Sequence, residues 1–307
     1  MTPHEHDDGA ARTAAPSAHP EEAASPERGG ASPADRPSDI PEPVRRLVCS
    51  IPTMAVVSLL GFVAVLWVFT RTGRGQMWDE RARMSTGSSA RAWAHIVDPL
   101  TYITVVSTGA CLLTFVVVAV MRRRFALALA AVFIVAAPNV TTQLFKAFWP
   151  TSPHWWSNSL PSGHSTVAMS LATAALVVAP AGTRRWLLPL VGFGVTFVGA
   201  GTVVGHWHRP ADVIAAFLVT TFWAALALGG VQRFQHGCRP RDTSYAVRPV
   251  LSLAGSIVVG LVFVALGVRP LDHDVTLLLA FFSLATIAVT AALVLAWISA
   301  AADDALG

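Results

Sequence analysis

Eight long apolar runs separated by polar segments organise this chain. They cover Ile51 to Thr70, about Pro99 to Val120, Phe125 to about Phe145, His164 to Ala179, Trp186 to about Val204, Ala211 to about Val231, Val250 to Leu266 and Val275 to Ser299. Such runs exceed what buried core helices need. Each is roughly long enough to cross a ~30 Å hydrocarbon core as an α-helix. The fourth is the shortest, and continues a helix that begins in a polar turn. The pattern predicts an all-α, polytopic transmembrane helical bundle.

Composition agrees. The chain is 53% hydrophobic and 13% charged, against about a quarter charged in soluble domains. Residues 1–43 differ: they are rich in Pro, Ala, Ser, Glu and Asp and lack aromatic residues and periodicity. They cannot bury enough apolar surface to offset their ordering entropy, so a disordered tail is expected. No apolar h-region marks it as a signal peptide. The net charge of +4 needs no nucleic-acid partner, because basic residues flanking membrane helices account for it. Cys49, Cys111 and Cys238 show neither metal spacing nor a plausible disulfide.

The loops set an expected orientation. Arg45–Arg46, Arg122–Arg124, Arg184–Arg185 and the segment carrying Arg233, Arg239, Arg241 and Arg248 alternate with the other loops. Placing these four inside puts both termini in the cytoplasm of a plasma-membrane protein. The first outer loop, 71–98, strains the rule with five arginines, offset in part by Asp79, Glu80 and Asp98. Segments 146–164 and 205–212 then share the outer face. Ionisable groups gathered at membrane depth are costly and usually functional.

Three pieces of that face carry candidate chemistry. Asn158–His164 reads N-S-L-P-S-G-H and runs into the fourth helix. The amides of Ser162, Gly163 and His164 would lie at a helix N-terminus, where anions bind. Taken alone, the segment equally fits a turn capped by Ser162 with an incidental histidine. His206–Asp212 reads H-W-H-R-P-A-D. With Pro210 in the first helical turn, Asp212 can meet His208, fix its tautomer and leave its other nitrogen free to react. An acidic residue favoured by the helix dipole is the alternative. Lys146 is the only lysine among 22 basic residues. It fits either a snorkelling lysine or a cation for a phosphoryl oxygen. His206, His208 and Asp212 could also be read as a metal cluster, a weaker reading that leaves no metal or cofactor expected. Trp149, Trp155, Trp156 and Trp207 suit an interfacial aromatic belt or the walls of a lipid-chain entrance.

Together the pieces resemble the type-2 phosphatidic acid phosphatase superfamily, which shares its fold with vanadium haloperoxidases. Its pattern is K-x6-R-P, then P-S-G-H, then S-R-x5-H-x3-D. Pro161-Ser162-Gly163-His164 and His208-x3-Asp212 are intact, and Lys146 precedes them at a suitable distance. The resemblance implies a six-helix phosphatase core, residues 44–232, with two additional helices over 250–302. It implies that His208 attacks a phosphoryl group, that Asp212 orients it, and that His164 serves as acid and then base. Lys146, Ser162 and Gly163 would bind phosphate. Both family arginines are missing: none follows Lys146 before Pro161, and Gly201-Thr202 stands in place of Ser-Arg. Arg209, His206, His154 and Thr202 are candidate replacements.

The implied activity is hydrolysis of a lipid phosphate or polyprenyl (pyro)phosphate on the extracytoplasmic face, in a chain whose Ala-, Val-, Gly- and Arg-rich composition suits a bacterium. The alternatives are a lipid-linked phosphotransferase and a catalytically weak member that binds or moves lipids.

Overall fold

The structure is a computed structural model, described over residues 50–149, 159–234, 247–270 and 275–306. The tail expected over 1–43 and His154 lie outside the described residues.

The apolar runs become helices. These are α1 (Ile51–Arg71), α2 (Gly73–Met84), α3 (Ala90–Leu100, with a π-helical centre), α4 (Val105–Met121), α5 (Phe125–Phe148), α6 (Gly163–Val178), α7 (Ala181–Val204), α8 (Pro210–Phe234), α9 (Val247–Leu266) and α10 (Val275–Leu306). Six are long and apolar enough to span a membrane: α1, α5, α7, α8, α9 and α10. Large apolar side chains such as Leu60, Trp67, Leu113 and Phe281 point outward, as they should where the solvent is hydrocarbon.

Two of the eight expected spans differ. The second begins at Val105 rather than Pro99, and the helix before it is bent away by 61°. The cause is local. Pro99 can open a helix but cannot donate a hydrogen bond, and Thr104 starts a new helix through a capping box with Ser107. The fourth, α6, has only 16 residues and is largely buried within the bundle.

One hydrophobic core joins α5, α6, α7, α8 and α10, with Leu176, Leu188, Phe217, Ile287 and Leu295 fully buried. The C-terminal helices are integral to the packing. At the crossing of α7 and α9, a Cβ on Gly255 would lie 1.9 Å from Pro189 O, and one on Gly192 would lie 2.4 Å from Ser252 O. Small residues let the two backbones touch, a common membrane-helix solution.

The α5–α6 contact is polar instead. Thr142 and Thr166 hydroxyls lie 3.0 Å apart, and Asn139 Nδ2 donates to Ser170 Oγ at 3.2 Å. This ladder fixes the register of the two helices and carries Lys146 to the start of α6.

The first loop is not a plain linker. Helix α2 folds back from α1, and β1 (Thr86–Ser88) pairs antiparallel with β2 (Val268–Pro270), Thr86 opposite Pro270. Residues 268–270, in the loop between α9 and α10, therefore form half of a small ribbon.

Candidate active site

Three helix ends and the first loop converge. Ser162 caps α6: its Oγ accepts from Ser165 N at 3.3 Å. Its own amide, expected to face an anion, instead donates to Asp212 O at 2.9 Å. That bond joins the start of α6 to the start of α8. The amides of Gly163 and His164 are left at the N-terminal end of α6. Lys146 lies beside Gly163: a Cβ there would be in ordinary contact, 3.6 Å from Lys146 Nζ and 4.0 Å from Gln143 Nε2.

Helix α8 begins at Pro210, which brings His208 and Asp212 together across one turn. A carboxylate only accepts, so His208 Nδ1–H donates to Asp212 Oδ2 at 3.1 Å. The bond fixes the tautomer and leaves Nε2 with its lone pair. The loop before it is held from below, because Thr202 O accepts from Trp207 N at 2.9 Å and His208 N at 3.2 Å. Trp207 lies against the ring of His164, with centroids 5.3 Å apart. At least this tryptophan contacts the site rather than serving only in an aromatic belt.

Asp212 is fully buried and densely bonded. Its Oδ2 also accepts from Arg209 N at 2.9 Å and from the Ser159 hydroxyl. Its Oδ1 has no partner among the described residues.

Among the described residues, the candidate replacements for the missing arginines, Arg209, Thr202 and His206, are engaged elsewhere. Arg209 Nε donates to Glu80 Oε2 at 2.7 Å and Nη1 to Ser159 Oγ at 3.1 Å. Ser159 in turn donates to Asp212 Oδ2, so these contacts tie Arg209 to the Asp212 carboxylate. Thr202 is buried and its hydroxyl returns to Gly199 O at 2.8 Å. His206, at φ 58°, donates from Nε2 to Thr86 O at 2.6 Å. It is aimed at the ribbon, and among the described residues no three-ligand metal group forms. Lys146 is the cation placed beside the start of α6.

The first loop supplies residues that motif reading passed over. Asp79 Oδ1 accepts from Ala211 N at 3.1 Å, while its Oδ2 is buried without a partner among the described residues. Burial, and then the nearby Asp212 charge, push the Asp79 carboxyl up to about 7. Burial also acts to raise Glu80, but hydrogen bonds from Arg83 and Arg209 outweigh it and hold Glu80 below its usual value. Arg83 Nη1 in turn donates to His206 O at 2.8 Å. The one available signal was Asp79-Glu80-Arg81, a dense charge run in a chain poor in charge. Ser159 sat unremarked inside the Asn158–His164 segment.

Fold and site define a polytopic helical membrane protein with a histidine–carboxylate pair beside an open helix N-terminus. Residues 107–235 match the family model described as the PAP2 superfamily. That segment runs from within α4 through α8 and contains Lys146, His164, His208 and Asp212, in a chain with six helices long and apolar enough to cross a membrane. No curated protein and no solved structure matches it.

Proposed function

We propose that the protein is a phosphatase of the extracytoplasmic face of the plasma membrane, hydrolysing a lipid phosphate or polyprenyl (pyro)phosphate through a phosphohistidine. The observation that carries this reading is the His208 Nδ1–Asp212 bond beside the start of α6. His208 Nε2 attacks phosphorus, forming the P–N bond as the P–O bond to the lipid breaks. His164 gives its proton to the departing oxygen. It then takes a proton from water, whose oxygen attacks phosphorus and releases phosphate from His208. Lys146, the Ser162 hydroxyl and the Gly163 amide hold the equatorial oxygens, where charge develops. Asp212 balances the imidazolium.

Sidedness is supported by the ends of the helices. Arg122–Arg124, Arg184–Arg185, Arg233 and Arg248 flank the helix ends opposite His208, which suits a cytoplasmic face and cytoplasmic termini.

The test is phosphate release from phosphatidic acid and from undecaprenyl pyrophosphate by purified protein in detergent. Turnover that disappears in His208→Ala supports the reading, and equal turnover in that variant overturns it. A second reading, a member that binds or moves lipid phosphates without turnover, is favoured by one observation: Arg209, Thr202 and His206 are engaged elsewhere, leaving Lys146 as the only lysine or arginine of the expected clamp. Saturable vanadate binding with no turnover of either lipid would support it.

A further inference from the structure

We propose that the cavity at the end of the bundle opposite His208 is a binding site for a phosphate-bearing anion. The cavity holds about 290 Å³ and is walled by the α4–α5 turn, the α6–α7 turn and Leu306 at the end of α10. That is near the lower end of the roughly 300–1,000 Å³ range of small-ligand pockets. Helix α6 separates it from the first site. Ser162 caps one end of this helix and Val178 closes the other, 16 residues on, or about 24 Å at 1.5 Å per residue.

Three arginines line the cavity, Arg122, Arg124 and Arg184, and no acidic residue does. Two are fixed in place. Arg122 Nη1 donates to Val178 O at 2.8 Å, tying the two turns together. Arg184 is 3% exposed; its Nε donates to Leu176 O at 2.9 Å and its Nη1 to Asp303. Asp303 also takes Arg248, so its single charge is already shared between two guanidinium groups. Neither Arg122 nor Arg124 is paired with a carboxylate among the described residues. The cavity thus keeps a surplus of positive charge.

A charge excess at a membrane face needs no concavity. Arginines serving only that role would extend their heads into water. Here all three bound one hollow: Arg122 and Arg124 are exposed, Arg122 is tied to Val178 O, and Arg184 is buried. Guanidinium groups match phosphate oxygens in geometry as well as charge, and basic pockets between membrane helices are suited to anionic headgroups. Leu127, Val178, Ala181 and Leu306 supply an apolar wall against which an acyl chain could lie. The phosphate could belong to the headgroup of an acidic phospholipid or to a free phosphate compound.

The experiment uses full-length protein carrying His208→Ala, so that binding at the first site does not dominate. The thermal midpoint is followed in phosphatidylcholine nanodiscs as phosphatidylglycerol is added, and separately as inorganic phosphate is added to neutral nanodiscs. A rise of several degrees with phosphatidylglycerol is expected. It should be lost in Arg122→Ala/Arg124→Ala and kept in Arg185→Ala/Arg233→Ala, which removes equal charge from exposed positions at the same helix ends. If the first double variant does not fold, Arg124→Ala alone takes its place, since this side chain makes no hydrogen bond among the described residues. A rise with inorganic phosphate alone, with the same dependence on Arg124, would identify a free phosphate as the ligand. No rise with either probe, or equal loss in both double variants, would overturn the proposal.

Discussion

Asp212 and Asp303 are both buried carboxylates, 0% and 3% exposed, at opposite ends of the bundle. Asp303 is saturated: Arg184 donates to one oxygen and Arg248 to the other. Asp212 collects His208, Ser159 and the Arg209 amide on one oxygen and keeps the other without a partner among the described residues. It also faces a second carboxyl, Asp79. A saturated carboxylate fixes structure. One left with acceptor capacity beside an imidazole can respond to charge that appears during a reaction.

The contrast predicts opposite consequences of similar changes. Asp212→Asn should retain the fold and lower turnover by about 10²–10⁴-fold, because the amide no longer enforces the tautomer or balances the imidazolium. Phosphate release together with the thermal midpoint tests this, and a fall in the midpoint alone would erase the contrast. Asp303→Ala should do the reverse, costing roughly 3–5 kcal/mol of stability by stranding two buried guanidinium groups. Denaturant or thermal unfolding in detergent measures it.

Gly255→Ala, which touches neither carboxylate, should cost about 1–3 kcal/mol by forcing α7 and α9 apart. Equal loss in all three variants would mean that stability alone is being read. The smallest effect concerns Asp79. Its carboxyl is raised from 3.8 to about 7, so the folded state binds its proton more tightly than the unfolded chain does. The stability this contributes is complete below about pH 4 and is lost as pH rises towards 7. Asp79→Asn should flatten that part of the pH–stability curve, and an unchanged slope would remove Asp79 from the comparison.

These two acids also mark what could be read in advance. Asp212 was legible because its partner is four residues away and helical spacing joins them. Asp303 was not, because Arg184 and Arg248 lie 119 and 55 residues distant. In sequence those arginines pass for flanking residues obeying the positive-inside pattern, yet both are buried. Most apolar runs were recovered as helices, since run length is a local property. The break before Val105 depended on a capping box hidden in Thr104 and Ser107. Arg209 looked available because nothing in its neighbourhood shows that Glu80 reaches across the first loop to hold it.

The β1–β2 ribbon carries a consequence for timing. Thr86 pairs with Pro270, and the Thr86 carbonyl holds His206. At ~5–20 residues per second of synthesis, Pro270 follows His208 by about 3–12 s. Throughout that interval the loop bearing His208 exists without the strand that completes its support. The ribbon beside the candidate site is therefore completed late, after α1 to α9 have been made, and a nascent chain stalled before Val268 should carry His206 on an unfinished ribbon.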